Sequence, residues 1–203
     1  MQLYGAPMPA PNPRRVRMFL AEKGLSVPET HLDFRAREHK SQAHRARNSL
    51  GQVPVLELDD GTTISESTAI CRWFEETYPE PPLFGVSALE KAHVDMWVRR
   101  IEFVLTQPAA NFWRHAHPYT AHLLTQHKEF GESNRTAWAE AALWLDRELA
   151  DQAFIAGEAF TIADICALST VDFANWIGLS PPDGAAHLAA WRERVSARPS
   201  ASA

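Results

Sequence analysis

Hydrophobic and polar positions alternate with two different periods in the first 80 residues. QLYGA at the N-terminus has the period-two pattern of a short strand, and PRRVRMFLAEKG reads as a helix with Pro13 at its first position and Gly24 as its stop. VPETHLDF alternates again. HKSQAHRARNS reads as an irregular polar helix, VPVLELDD as a strand turned by DDG into the antiparallel partner TTIS, and SESTAICRWFEETY as an amphipathic helix closed by Pro79. The expected order is βαβαββα.

From Ser87 onward the pattern is helical throughout. ALEKAHVDMWVRRIEFVLTQPAANFWRHAH predicts a long helix with Pro108 as a kink point, and SNRTAWAEAALWLDRELAD predicts a second. TIADICALSTVDFANWIG is apolar on nearly every face, which predicts the buried centre of a bundle, and AAHLAAWRERVSAR predicts a last helix. This change of period divides the chain into an α/β domain over 1–80, a Pro-rich linker over 81–87 and an all-helical domain over 88–203.

Composition narrows the function classes. The 203 residues are 45% hydrophobic, enough for a real core, and the formal net charge is −5. That balance does not suggest a nucleic-acid partner, whose footprint is a clustered basic surface. No stretch approaches the roughly 20 apolar residues of a membrane span, and the N-terminus lacks the basic and apolar regions of a signal peptide. A cytoplasmic protein is expected. Cys71 and Cys166 both lie on apolar helical patterns and read as buried, inert thiols.

Several local patterns can carry chemistry. In GQVPVLELDDG, Pro54 belongs at the start or edge of its strand, either as an ordinary trans proline or in a cis bond that turns the Val53 backbone outward toward an extended ligand. Ser65, Glu66, Ser67 and Thr68 crowd the start of a helix. One of them suffices as a cap, and the others sit where a carboxylate is favoured. Ser67 would donate to such a carboxylate and Glu66 would take an ammonium group, a combination suited to an α-amino-acid head. Thr161 and Asp164 form a capping-box pattern, with Asp164 expected as half-buried scaffold. His115 and His117 form no convincing zinc set, because HxH on a helix sends the two rings about 200° apart. Trp113 and His117 share a face at i and i+4.

Three stretches, YGAPMPAPNPRRVRMFLAEKGL, NSLGQVPVLELDDGTTISESTAICRWFEETYP and AGEAFTIADICAL, together resemble the cytosolic glutathione transferases, in that family's order and spacing over the whole chain. The resemblance implies a thioredoxin-like N-terminal domain that holds glutathione as co-substrate, a C-terminal helical bundle that supplies the wall for an electrophile, a homodimer, and no metal. It implies that Val53 beside a cis Pro54 pairs with the cysteinyl unit, that Glu66 and Ser67 hold the γ-glutamyl head group, and that Lys40 and Gln52 face the glycine carboxylate. Met8, Phe112, Trp113 and Tyr119 are the apolar candidates for the electrophile.

One departure matters. The family places a Tyr, Ser or Cys near the end of the first strand or in the loop after it, whereas residues 6–13 here read APMPAPNP, and Tyr4 falls within the strand. The thiol would then be activated by helix N-terminal amides with Asn12 as a side-chain donor, or by a water held by His115 or His117. The expected activity is conjugation of glutathione to hydrophobic electrophiles. Alternatives are a glutathione-dependent peroxidase or isomerase, or a non-enzymatic binding or interaction module of the same fold.

Overall fold

Four short strands make one mixed sheet in the order β2–β1–β3–β4. In the computed structural model, which describes residues 1–203, β1 spans Gln2–Gly5, β2 Glu29–His31, β3 Val55–Glu57 and β4 Thr63–Ser65. β1 runs parallel to β2 through the crossover helix α1 (Pro11–Glu22), and antiparallel to β3, which turns directly into β4. The short helix α2 (Gln42–Arg47) precedes β3, and α3 (Ser67–Thr77) follows β4. The βαβαββα order and the thioredoxin-like sheet are therefore both present.

The period-two pattern of β1 explains its faces. Leu3 points into the core on the same face as its register partner Leu56, with Val16, Phe19, Ile70 and Phe74, all almost fully buried, while Val55 pairs with Tyr4. Tyr4 lies on the opposite face, with the Arg47 guanidinium 4.2 Å from its ring centre. α1 and α3 end close together around a buried cation. The Lys23 ammonium donates to the carbonyls of Tyr78 (2.9 Å), Pro79 (3.1 Å) and Pro81 (2.6 Å) and pairs with the Glu75 carboxylate at 2.5 Å. Three carbonyls of the segment after α3 and one carboxylate thus supply the partners that a buried ammonium requires.

The chain divides into two units, residues 1–82 with 199–203, and residues 83–198. The C-terminal turn belongs with the first unit, where Arg14 Nη2 donates to the Ala201 carbonyl at 2.9 Å. Leu83 and Phe84, within the stretch read as a linker, are core residues of the helical unit, and the Leu83 carbonyl accepts from the Ile162 amide at 2.9 Å.

The helical unit contains α4 (Ala88–Arg100), α5 (Gln107–His115), α6 (Lys128–Glu148), α7 (Ile162–Trp176) and α8 (Ala186–Ser196). α4 and α5 are joined by a π-helical segment, Ile101–Thr106, so the single long helix expected from the pattern is interrupted just before Pro108. Pro108 has no N–H for the carbonyl four residues back, and a wider register absorbs the missing bond. α7 is the buried centre, with every residue from Ile162 to Val171 buried. Asp164 is 0% exposed, so it is fully rather than half buried. Cys71 and Cys166 are buried and joined in no disulfide.

Candidate active site

The turn after β1 is braced from beneath. Arg17 Nη1 donates to the Ala6 carbonyl at 3.0 Å and to Glu29 Oε1 at 3.2 Å. A Cβ on Gly5 would meet that same Glu29 carboxylate, so glycine leaves it room to close under the strand end. The Met8–Pro9 peptide is cis, and the Ala10 amide donates to the Pro7 carbonyl at 3.2 Å.

α1 begins at Pro11, two residues before the Pro13 start expected from the sequence. Proline suits a first helical position, so the earlier proline takes it. This changes the donor inventory. Pro11 and Pro13 have no N–H, and Arg14 N already donates to the Ala10 carbonyl at 3.3 Å. Of the several helix amides expected at this terminus, only the Asn12 N–H remains, next to the exposed Asn12 side chain. Met8 is 52% exposed on the same turn.

The Val53–Pro54 peptide is cis. Val53 is half-buried and Pro54 buried just ahead of β3. Register pairs Val55 with Ser65, which sets Val53–Pro54 beside Glu66–Ser67 at the start of α3. Glu66 occupies the cap position with φ 70° and ψ 117°, and its side chain makes no capping bond. The crowded polar start of this helix therefore does not serve as the ordinary cap that the sequence suggested for one of its members. Ser67, the first helical residue, is 5% exposed, whereas Glu66 is exposed.

Lys40 and Gln52 lie on the segment leading to Val53. Lys40 Nζ donates to the carbonyls of Leu50 (3.0 Å) and Gly51 (2.8 Å). The Gln52 side chain is exposed, and its carbonyl is contacted by His44 Nε2 at 2.9 Å and by Asn48 Nδ2 at 3.1 Å. Sequence reasoning missed His44 and Asn48, which read as members of an irregular polar helix. The signal available was NSLGQVP, where a turn-forming Asn precedes a Gly by three residues.

In the helical unit, the aromatic and histidine candidates separate into two groups. His115 is the last residue of α5, while His117 lies beyond it and caps a short 3₁₀ turn, Pro118–Thr120. His117 packs on Trp113 with ring centres 4.6 Å apart, and Trp113 stacks on Tyr119 at 5.4 Å. His115 turns toward His127 (5.5 Å) and Phe130 (5.4 Å). The group around Trp113 also contains Phe173 and Trp176, at 5.4 and 5.5 Å. Neither was singled out from the sequence, because α7 reads as core, yet Trp176 is 51% exposed. Phe112 is only 4% exposed, with the Arg135 guanidinium 4.5 Å from its ring centre; it is a core residue and offers no surface to an electrophile.

Hydrogen bonds define what the two histidines can do. His117 Nδ1 accepts from the Tyr119 amide at 3.3 Å, and His115 Nδ1 accepts from the His127 amide at 3.4 Å. In the neutral imidazole the proton of each ring is then on Nε2, so each presents a donor rather than a proton acceptor. Burial lowers the pKa of His117 below the ordinary histidine value, which favours that neutral form.

Family models described as the N-terminal and C-terminal domains of glutathione S-transferase match residues 10–77 and 107–199. Glutathione S-transferase 2 of Saccharomyces cerevisiae is 36% identical over 204 residues, covering 98% of this chain and 87% of that protein. The crystal structure of Gtt2 from Saccharomyces cerevisiae superposes with a TM-score of 0.93 at 35% identity, covering 100% of this chain and 99% of that one. A maleylacetoacetate isomerase of Pseudomonas aeruginosa is 41% identical over 81 residues, 38% of each chain.

Proposed function

We propose, for a chain that belongs to the glutathione S-transferase family, an enzyme that joins the sulfur of glutathione to an electrophile carrying an aromatic or other hydrophobic group. The observation that carries this reading is the start of α3. There the cap residue makes no side-chain bond, Ser67 is the first helical residue, Glu66 is exposed, and the cis Val53–Pro54 peptide lies alongside. In this reading the γ-glutamyl carboxylate sits on the α3 amides and Ser67 Oγ, its ammonium meets Glu66, and the cysteinyl unit pairs with the Val53 backbone. The Gln52 side chain faces the glycine carboxylate, and Lys40 shapes that end by holding the Leu50 and Gly51 carbonyls.

The thiol is activated by donors and not by a local hydroxyl. A free thiol ionises near 8.5, and making thiolate dominant near neutrality takes about two pKa units, or ~2.7 kcal/mol. Hydrogen bonds to a charged group contribute roughly 1.5–3 kcal/mol each, so one or two are enough. The Asn12 N–H and side-chain amide are the donors of the first unit. The helical unit carries donors of its own, the Nε2–H of His117 and of His115, each of a kind that holds a water. The thiolate then attacks the electrophilic carbon: the carbon–sulfur bond forms, the leaving group departs with its electron pair, and the thiol proton passes to water. Trp113 and Tyr119 in the helical unit, and Met8 in the first, are each apolar surface of the kind an aromatic electrophile takes.

A second reading, a glutathione-dependent isomerase, is favoured by the isomerase similarity over 81 residues; there the thiolate adds and is later expelled. The same active-site chemistry serves both. The protein would act as a cytoplasmic homodimer in the removal of electrophiles.

Ultraviolet titration of bound glutathione tests this. The bound thiol should ionise well below the free value, and Asn12→Ala should return it at least one unit toward about 8.5. Bound glutathione with an unshifted thiol in the wild type would leave a binder without turnover.

A further inference from the structure

The segment between α2 and the cis proline is held by an unusual sequence of bonds. Three consecutive carbonyls, those of Leu50, Gly51 and Gln52, are engaged from one side of the chain: the first two by Lys40 Nζ and the third by both His44 Nε2 and Asn48 Nδ2. Asn48 also accepts the Leu50 amide through Oδ1 at 3.1 Å and the Gly51 amide through its own carbonyl at 2.7 Å. Gly51 is left-handed at φ 59°, and a Cβ there would lie 2.7 Å from the His39 carbonyl. The bonds and the steric fit together determine the path of the chain up to Gln52. Val53 is the next residue, and its N–H and C=O make no bond to another main-chain group.

His44 is the least expected member of this set. It is 1% exposed, and its ring sits edge-on to Tyr4 with centres 6.4 Å apart. A buried polar ring is retained in a core when it has a bond to make, and this one bonds the carbonyl that shares a peptide plane with the Val53 amide. Rotating the Gln52–Val53 peptide would move that carbonyl and that N–H together, because the unit is planar. A donor held on that carbonyl therefore constrains the direction in which the Val53 N–H points, from the opposite edge of the same peptide.

We propose that His44, assisted by Asn48, is a positioning residue for glutathione: its bond to the Gln52 carbonyl orients the Gln52–Val53 peptide so that Val53 presents its N–H to the cysteinyl unit. This rests on the glutathione reading above. The role is distinct from simple filling of space, since a donor at the Nε2 position is what the proposal requires. His44 must carry its proton on Nε2 to serve, and the Asn48 amide must point Nδ2 at the same oxygen, leaving Oδ1 for Leu50.

The test uses the full chain with glutathione as the probe and an activated aryl chloride as the electrophile. His44→Leu removes the donor and keeps the bulk, His44→Gln supplies an amide N–H at similar reach, and Asn48→Asp keeps the acceptor for Leu50 while removing the donor. His44→Leu should bind glutathione about five- to tenfold more weakly, the worth of one hydrogen bond, with kcat at saturating glutathione within about twofold. His44→Gln should recover most of that loss. Asn48→Asp should weaken binding by at least as much as His44→Leu, and it remains informative if His44→Leu fails to fold. Amide exchange at Val53 in the glutathione complex should quicken in His44→Leu and not in His44→Gln.

Wild-type protein that binds glutathione, with His44→Leu or Asn48→Asp binding equally well, overturns the positioning role and leaves the glutathione reading intact. Equal losses of affinity in His44→Leu and His44→Gln, with equal losses of thermal stability, also overturn it, since packing alone would then be at work. Wild-type protein that binds no glutathione overturns the glutathione reading and the positioning role with it.

Discussion

Two helix starts in this molecule are built from the same kinds of residue and finished in opposite ways. α7 begins with Thr161 and Asp164, and every polar atom at that terminus has a partner. Asp164 Oδ1 accepts from the Ile155 amide (3.0 Å) and the Trp191 indole (2.8 Å), while Oδ2 accepts from the Thr161 amide (3.0 Å) and hydroxyl (3.4 Å). α3 begins with Glu66 and Ser67, and there the cap side chain bonds nothing while the cap backbone sits at positive φ. A helix terminus closed by its own side chains contributes to stability. One left without a side-chain cap, and held in a costly conformation, is suited to an external carboxylate.

The widest contrast should come from breaking the closed terminus. Asp164→Ala strands four donors in a site with no solvent access, and burial already pushes the Asp164 carboxyl up to about 6 against their pull. Unpartnered buried donors cost about 1–3 kcal/mol each before relaxation, so a net loss on the order of 3 kcal/mol is expected in urea unfolding. Glutathione affinity of the protein that remains folded should be unchanged. An unfolding midpoint equal to wild type would show that the cap is dispensable.

Breaking the open terminus should do the reverse. Ser67→Ala should weaken glutathione binding about tenfold, or about 1.4 kcal/mol, with the unfolding midpoint nearly unmoved. Glu66→Gly is the sharper variant. Glycine relieves the positive φ, worth roughly 1–3 kcal/mol, and gives back about 0.5–1 kcal/mol in unfolded-chain entropy, for a net gain near 1 kcal/mol. The same change removes the carboxylate proposed to meet the ammonium group. Stability should therefore rise as affinity falls, measured by urea unfolding and by calorimetry. A variant that loses stability and keeps affinity would show that Glu66 serves the fold and not the ligand.

The contrast also explains which features could be read from the sequence. Period and punctuation gave the βαβαββα order, the central α7 and its capping box, because each is a local pattern with a local cause. The start of α1 was misplaced by two residues because Pro11 and Pro13 both suit a first helical position, and only the Ala10 backbone decides between them. The bracing of Leu50–Gln52 by Lys40 and His44 has no local pattern, since a side-chain bond to a carbonyl eight to eleven residues away follows from the path of the loop; only Asn48, four residues before Gln52, has the turn signal of NSLGQVP. Trp176 was hidden for the opposite reason. Its helix is apolar enough to be read as core to its end, whereas the last turn of α7 presents Trp176 beside His117 and Trp113.

The smallest expected effect concerns His117, which belongs to neither terminus and separates a binding role from a stability role within one residue. Burial holds its pKa below the ordinary histidine value of 6.5, so over the interval beneath that value the unfolded chain carries more protons than the folded one. The contribution of neutral His117 to stability is full above about 6.5 and is lost as pH falls through the lowered folded value. Protonation would also place a second N–H against the Tyr119 amide and break the bond at Nδ1. Thermal midpoints should accordingly fall on acidification by slightly less in His117→Gln than in wild type, with His39, lowered in the same direction by burial and by Lys40, leaving a common slope in both. His117→Gln keeps a donor that can hold a water and should retain the lowered thiol pKa, whereas His117→Ala should raise it. Equal thiol pKa values in wild type and His117→Ala would remove His117 from the chemistry and leave Asn12 as the thiolate donor.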